Sequence, residues 1–356
     1  MYYFFSSKCN RLHYLHYRGG KMRKTIEHVA QLAKVSKATV SRVLNDSPKV
    51  TEETRERVMK VVKELGYYPS AMARRLTTNK AETIGIIIPA PHDRTFGNPF
   101  YTEILRGFTH QAKIKKYDLL LFTNEHKFNY SQLFYDRRVD GLLLIGVKRN
   151  DKGIIQLSKR KLPYILTGKI DYKDANYIDA ENRKGAYQAV SYLANLNHKK
   201  IAYIGGSFEF VFNQERFEGY LSALQDHNLE YGKELTTESI STQESGYEAM
   251  CRLMKISPVP TAVFVANDLD AIGAMKAVRE KGLRIPEDIA FIGFDDIQLA
   301  SHIEPSLTTV RQPIFKMGTT AISLLVQLIE GKEKKHPKVE LPTQLIIRKS
   351  SGEMKI

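Results

Sequence analysis

From Thr83 onward, short apolar runs alternate with longer amphipathic stretches, and no other feature limits the possible folds as much. Runs of strand length occur at Thr83–Ile88, Asp118–Phe122, Gly141–Ile145, Tyr164–Thr167, Ile201–Ile204, Ala262–Val265 and Ile289–Ile292. Helical stretches separate them at about Pro99–Lys116, Tyr130–Arg138, Asn182–Asn195, Gln214–His227, Ser245–Met254 and Leu269–Lys281. Apolar strands joined by helices predict parallel sheets covered by helices. The region is too long for one tidy sheet, so two lobes are expected. Ligands of such folds bind beyond the carboxyl ends of the strands.

Charge divides the chain differently. The 356 residues carry 54 Lys and Arg against 39 Asp and Glu, a net charge of +15. Residues 1–82 hold 17 basic and 7 acidic side chains, so the first quarter carries most of the excess. That is the footprint of a module for nucleic acid or an anionic surface, joined to a near-neutral body. The longest apolar runs, Ile84–Ala90 and Gly141–Val147, fall far short of the ~18 residues of a membrane span, and no membrane partner is expected. Two cysteines, Cys9 and Cys251, exclude a disulfide framework and a Cys-based zinc site. No GxGxxG follows the first strand, and GxxxxGK[ST], HExxH and GxSxG are absent. Neither an enzyme nor a cofactor is therefore expected.

Residues 1–21 (MYYFFSSKCNRLHYLHYRGGK) lack the continuous apolar centre of a secretory signal. They read either as a disordered basic arm or as translated leader. Arg18–Met22 (RGGKM) is what a purine-rich ribosome-binding site encodes in frame, which would put the natural start at Met22.

Residues 22–68 read as three short helices. Thr25 caps the first, which runs from Ile26 to about Ala33 with Ile26, Val29, Ala30 and Ala33 on one face. Lys34 and Val35 form a turn, and Ser36 caps a second helix from Lys37 to about Asn45. Thr51 caps a third, with Glu52 and Glu53 in its first turn and apolar Val58, Val61, Val62 and Leu65; Gly66 ends it. The second helix exposes Lys37, Ala38, Thr39, Ser41 and Arg42, which suits the major groove of DNA.

The strings Val35–Asn45 (VSKATVSRVLN) and Tyr68–Leu76 (YPSAMARRL) make this region resemble the headpiece of the lac repressor (LacI/GalR) family. Lys34 departs from the Gly or Asn common in that turn. The resemblance extends over nearly the whole chain. It implies a small all-α helix-turn-helix headpiece plus an α/β periplasmic-binding-protein-like core of two parallel-sheet lobes. Residues 69–82 would be a hinge helix and linker. Lobe 1 would span about 83–180 and 311–340, and lobe 2 about 181–310 and 341–350. Lys37, Ala38 and Arg42 would face base edges, while Thr25, Ser36, Thr39 and Asn45 would hold phosphates. Leu76, with Ala73 beside it, would wedge into the minor groove.

The same resemblance assigns Arg216, Asn267 and Asp295 to a small-molecule effector. Asn98–Tyr101 would present the Phe100 ring to it. Asp268 reads as the N-cap of the helix that follows Ala262–Val265. Leu166–Lys169 (LTGK), Tyr203–Phe212 (YIGGSFEFVF) and Asp93–Phe100 (DRTFGNPF) are similar to maltose-operon repressors of Gram-positive bacteria. This adds Lys169 as an effector residue and maltose or maltodextrin as the expected sugar. Glu304 stands where the global catabolite regulator of the family carries an Arg for its phosphorylated partner, so that mode of corepression is not expected. With no leucine-heptad tail after Gln344–Arg348, a homodimer on a pseudo-palindromic operator is expected. The reading is a cytoplasmic bacterial repressor released from DNA by sugar. Two alternatives stand beside it: a corepressor-dependent regulator of the same family, and an extracytoplasmic solute-binding protein.

Overall fold

The computed structural model describes residues 24–44, 46–67, 80–89, 96–123, 129–332 and 336–353. The chain divides into two compact units, Met1–Asn79 and Lys80–Ile356.

The first unit holds α1 (Ile26–Leu32), α2 (Lys37–Leu44) and α3 (Glu52–Leu65). Val29, Ala30, Ala33, Val40, Val43, Val58 and Tyr67 form its core. At Thr25 the backbone N–H donates to His28 Nδ1 at 3.2 Å. Lys34 sits at φ 53°, which explains why Gly or Asn would suit this turn. Gly66 closes α3 at φ 55°.

The second unit opens with β1 (Thr83–Ile88), α4 (Pro99–Lys115), β2 (Asp118–Thr123), α5 (Tyr130–Tyr135), β3 (Gly141–Ile145), α6 (Lys152–Lys159), β4 (Tyr164–Thr167) and β5 (Tyr177–Ala180). There follow α7 (Asn182–Asn195), β6 (Ile201–Gly205), α8 (Val211–Asp226), β7 (Thr236–Glu238), α9 (Gln243–Leu253), β8 (Ala262–Val265), α10 (Asp268–Glu280), β9 (Ala290–Asp295), α11 (Gln298–His302) and β10 (Thr308–Arg311). The chain closes with α12 (Ile314–Ile329), β11 (Lys338–Leu341) and β12 (Gln344–Ile346).

Two six-stranded sheets result, ordered β11-β5-β4-β3-β1-β2 and β12-β10-β9-β8-β6-β7. The β10–β12 pair is antiparallel, and the other pairs are parallel. Central strands β1, β3, β6, β8 and β9 are buried at every residue, as strands covered on both faces must be. The chain passes between the lobes after Ala180, after Arg311 and after Leu341. Through α12 it returns to the first lobe, where Gly107 of α4 and Gly318 of α12 bring the two helices into backbone contact. A Cβ at Gly318 would lie 2.6 Å from the Ile104 carbonyl oxygen. That packing fixes the start of α4 at the cleft.

Two sequence expectations shift here. The helix expected over Tyr130–Arg138 ends at Tyr135, where the chain turns through Arg137 at φ 53°. Helix α8 starts at Val211, three residues before the expected Gln214.

Candidate functional site

Helix α2 presents the candidate DNA-facing side chains. Ser36 Oγ accepts from the Thr39 N–H at 3.1 Å, the N-cap arrangement, and from there α2 runs for eight residues. Val40 and Val43 point into the core, so Lys37, Ala38 and Arg42 are exposed and Thr39 is half-exposed. Lys37 pairs with Glu27 of α1, and the ammonium holds the Glu27 carboxyl below its ordinary pKa. Asn45, Ala73 and Leu76, and with them the expected hinge helix, lie outside the described residues.

The second candidate site is a cavity of about 110 Å³ between the lobes. The first lobe contributes Asn98, Phe100, Tyr101, Thr167 and Asp179, and the second contributes Phe212, Asn213, Arg216, Asn267 and Asp295. Thr167 ends β4, Asp295 ends β9 and Asn267 lies just past β8, so the carboxyl ends of both sheets face it. Asn98 caps α4 by accepting from the Phe100 N–H at 2.9 Å. The Phe100 ring stands edge-on to Tyr101, with centroids 5.7 Å apart.

Arg216 lies on the second turn of α8 and is buried. Its Nε donates to Asn182 Oδ1 at 3.0 Å and one amino group donates to the Ala266 carbonyl at 2.5 Å. The guanidinium covers the Phe294 ring at 3.8 Å and lies 3.7 Å from Asp295 Oδ1. Burial pulls its pKa down, an effect that Asp295 and Asp179 counter. Asp295 leaves the strand at φ 120°, a conformation costly for a residue with a Cβ, and the next residue, Asp296, follows at φ 58°. Burial pushes the Asp295 carboxyl up to about 6, although Arg216 and Gln312 favour its charged form. Gln312 Nε2 donates to it at 2.6 Å. On the facing lobe, burial and the Glu215 charge likewise push Asp179 up to about 6.

Phe100, Arg216, Asn267 and Asp295 thus meet at one cavity. Lys169 does not join them. Its ammonium donates to Glu215 at 2.6 Å and to Glu340 at 2.8 Å, away from the lining. Burial opposes its charge, but the two carboxylates outweigh that and raise its pKa. The cap of α10 is also corrected. Asn267, not Asp268, accepts from the Asp270 N–H at 2.9 Å. Asp268 is wholly buried and accepts from the Ile297 N–H at 2.9 Å and Thr309 Oγ1 at 2.6 Å.

Sequence reasoning passed over Tyr101, Thr167, Asp179, Phe212, Asn213 and Gln312. All of them sit at or beside a strand end, or within the first turn of a helix that follows a strand. That position, more than residue type, was the available signal.

No helix of the described residues is long and apolar enough to cross a membrane. Residues 25–70 match the family model of bacterial regulatory proteins, lacI family. Residues 190–351 match the periplasmic binding protein-like domain. Among similar proteins, the HTH-type transcriptional regulator CelR of Thermobifida fusca is 35% identical over 336 residues, covering 93% of this chain and 99% of its own. A solved CelR–cellobiose complex superposes with a TM-score of 0.72 at 34% identity, over 92% of this chain and 100% of that one. The lac repressor dimer bound to operator and the anti-inducer ONPF gives a TM-score of 0.82 at 28% identity, over 92% of this chain and 99% of that one.

Proposed function

The chain belongs to the lacI family of bacterial regulatory proteins, and on that footing we propose that it represses transcription as a cytoplasmic homodimer on operator DNA, which a small sugar makes it release. One observation carries the ligand half of the reading: side chains of both lobes converge on a single cavity, where Arg216 and Asp295 face each other 3.7 Å apart. That gap exceeds a hydrogen bond. A sugar hydroxyl, at once acceptor and donor, can bridge a guanidinium and a carboxylate, and because two hydrogen bonds in line span about 5.5 Å it would spread the pair as it enters. Phe100 supplies an apolar face for the ring of the sugar.

The size of the cavity ties binding to movement. At about 110 Å³ it is smaller than the roughly 300 Å³ at which ligand pockets begin. A disaccharide enters only if the lobes part, so it favours one lobe arrangement over another. A ligand with such differential affinity shifts the equilibrium between the states that hold and release DNA.

In the headpiece, Lys37, Ala38 and Arg42 read base edges, and Thr25, Ser36 and Thr39 hold phosphates. Maltose or maltodextrin is the sugar to try first, on the resemblance of LTGK and its companion segments. The test is fluorescence anisotropy of upstream DNA at fixed salt, with maltose, maltotriose, cellobiose or glucose 6-phosphate. Weaker operator binding with maltose or maltotriose is expected. A sugar that tightened binding would instead make the ligand a corepressor.

A further inference from the structure

Five buried polar side chains form one continuous line through the hinge between the lobes. Asp179 lies in the last strand of lobe 1 before the first crossing, and its Oδ1 accepts from Asn182 Nδ2 at 3.0 Å. Asn182 opens α7 on the far side of that crossing, and its Oδ1 accepts from Arg216 Nε at 3.0 Å. Arg216 faces Asp295 at 3.7 Å. Asp295 accepts from Gln312, which lies between β10 and α12 on the second crossing, at 2.6 Å. All five are at most 6% exposed. Asn182 is the one member that does not line the cavity. It acts only through its neighbours.

We propose that Asn182 and Gln312 are positioning residues that convert occupancy of the cavity into a change in the angle between the lobes, an inference that rests on the ligand reading above. Neighbouring links of a buried line strengthen one another, and none of its polar groups is left unpaired without cost. A hydroxyl that enters between Arg216 and Asp295 must therefore reset the bonds behind each of them. Behind Arg216 stands Asn182 at the first crossing, and behind Asp295 stands Gln312 at the second. Asn182 Nδ2 also donates to the Ala180 carbonyl at 3.1 Å, which fastens the line to the crossing backbone itself.

The test compares wild type with Asn182→Ala and with the shape-preserving Gln312→Met. For each, operator affinity is measured with and without saturating maltose, and maltose affinity is measured without DNA. Coupling between two sites commonly amounts to 5–150-fold. In Asn182→Ala the ratio of the two operator affinities should fall below about twofold while maltose still binds. Gln312→Met, at a residue that lines the cavity, should lose the ratio together with part of its maltose affinity. A purely structural role would weaken binding without removing the ratio, and a wild-type ratio in Asn182→Ala overturns the proposal.

A second readout needs no sugar. Spin labels at Gln156→Cys on α6 and Glu248→Cys on α9 report the distance between lobes, with Cys9 and Cys251 replaced by Ser. In the ligand-free protein Gln312→Met should broaden that distribution. A distribution superimposable on wild type rejects the relay, even if maltose proves inactive and only the sugar reading fails.

Discussion

Arg216 and Asp295 face each other at 3.7 Å, each anchored from behind, Arg216 by Asn182 and the Ala266 carbonyl and Asp295 by Gln312. Neither is placed to close the gap by itself. Arg216→Lys keeps the charge but loses the planar fork. It should weaken sugar binding by about tenfold or more, the equivalent of ~1.4 kcal/mol, and leave operator affinity without sugar close to wild type. Titration calorimetry and operator anisotropy together check this. Arg216→Met should also cost stability, because it strands a buried carboxylate.

The Asp295 carboxyl, raised to about 6, gives a pH dependence of known sign. A sugar hydroxyl donates best to the ionised form. Sugar affinity should be full above pH 7 and decline as pH falls through 6, and Asp295→Asn should flatten the profile at a weaker level. Stability moves the other way. Between the ordinary carboxylate range and about 6, the folded protein binds more protons than the unfolded chain, so stability declines as pH rises across that window. Asp179 contributes with the same sign. Calorimetric melting from pH 4 to 7 would show the slope.

Lys169 should matter for stability more than for sugar. It holds Glu215 of the second lobe and Glu340 of the first. Lys169→Ala leaves the largely buried Glu215 without this partner and should cost about 1–3 kcal/mol in urea unfolding. Sugar affinity should stay within about threefold, a difference of ~0.6 kcal/mol. A large loss of affinity with unchanged stability would return Lys169 to the cavity.

Arg42 and Ser36 should fail differently on DNA. Arg42→Ala is expected to cost about 1–3 kcal/mol on the cognate operator and to relax preference at one base pair. Ser36→Ala removes the cap of α2. It should weaken binding to all sequences alike and lower helix stability by about 1 kcal/mol. Anisotropy over a set of single-substitution operators separates the two.

Gly318→Ala would push a methyl carbon to 2.6 Å from the Ile104 carbonyl. The contact is backbone against backbone, with no flexible side chain to yield. A loss of about 1–3 kcal/mol is expected, and because α4 would shift, the Phe100 side of the cavity should lose sugar affinity as well.

The sequence showed its interior better than its margins. Buried strands such as Gly141–Ile145 are apolar at every position and announce themselves, whereas edge strands β7 and β11 are short and partly exposed and resemble loops. Helix α6 was missed, since it is only eight residues long and carries Gly153 in its first turn, although Asp151 is its cap. Adjacent Asn267 and Asp268 are both good caps, and only the direction of the chain leaving β8 decides between them. Lys169 was misplaced for another reason. Its partners, Glu215 and Glu340, are distant in sequence, and which carboxylates a loop lysine meets is settled by tertiary packing.

The three crossings also set the order in which the protein can be completed during synthesis. Strand β5 pairs through Tyr177 with Lys338 of β11, and β10 pairs through Val310 with Leu345 of β12. The first lobe therefore waits, with one sheet margin and the α12 face of α4 uncovered, until all of the second lobe except its last strand has been made. Neither lobe is a unit that a ribosome could release finished while translating the other. A premature stop after Gly331 would leave both sheets short of an edge strand, and unpaired edges of this kind invite association with other chains.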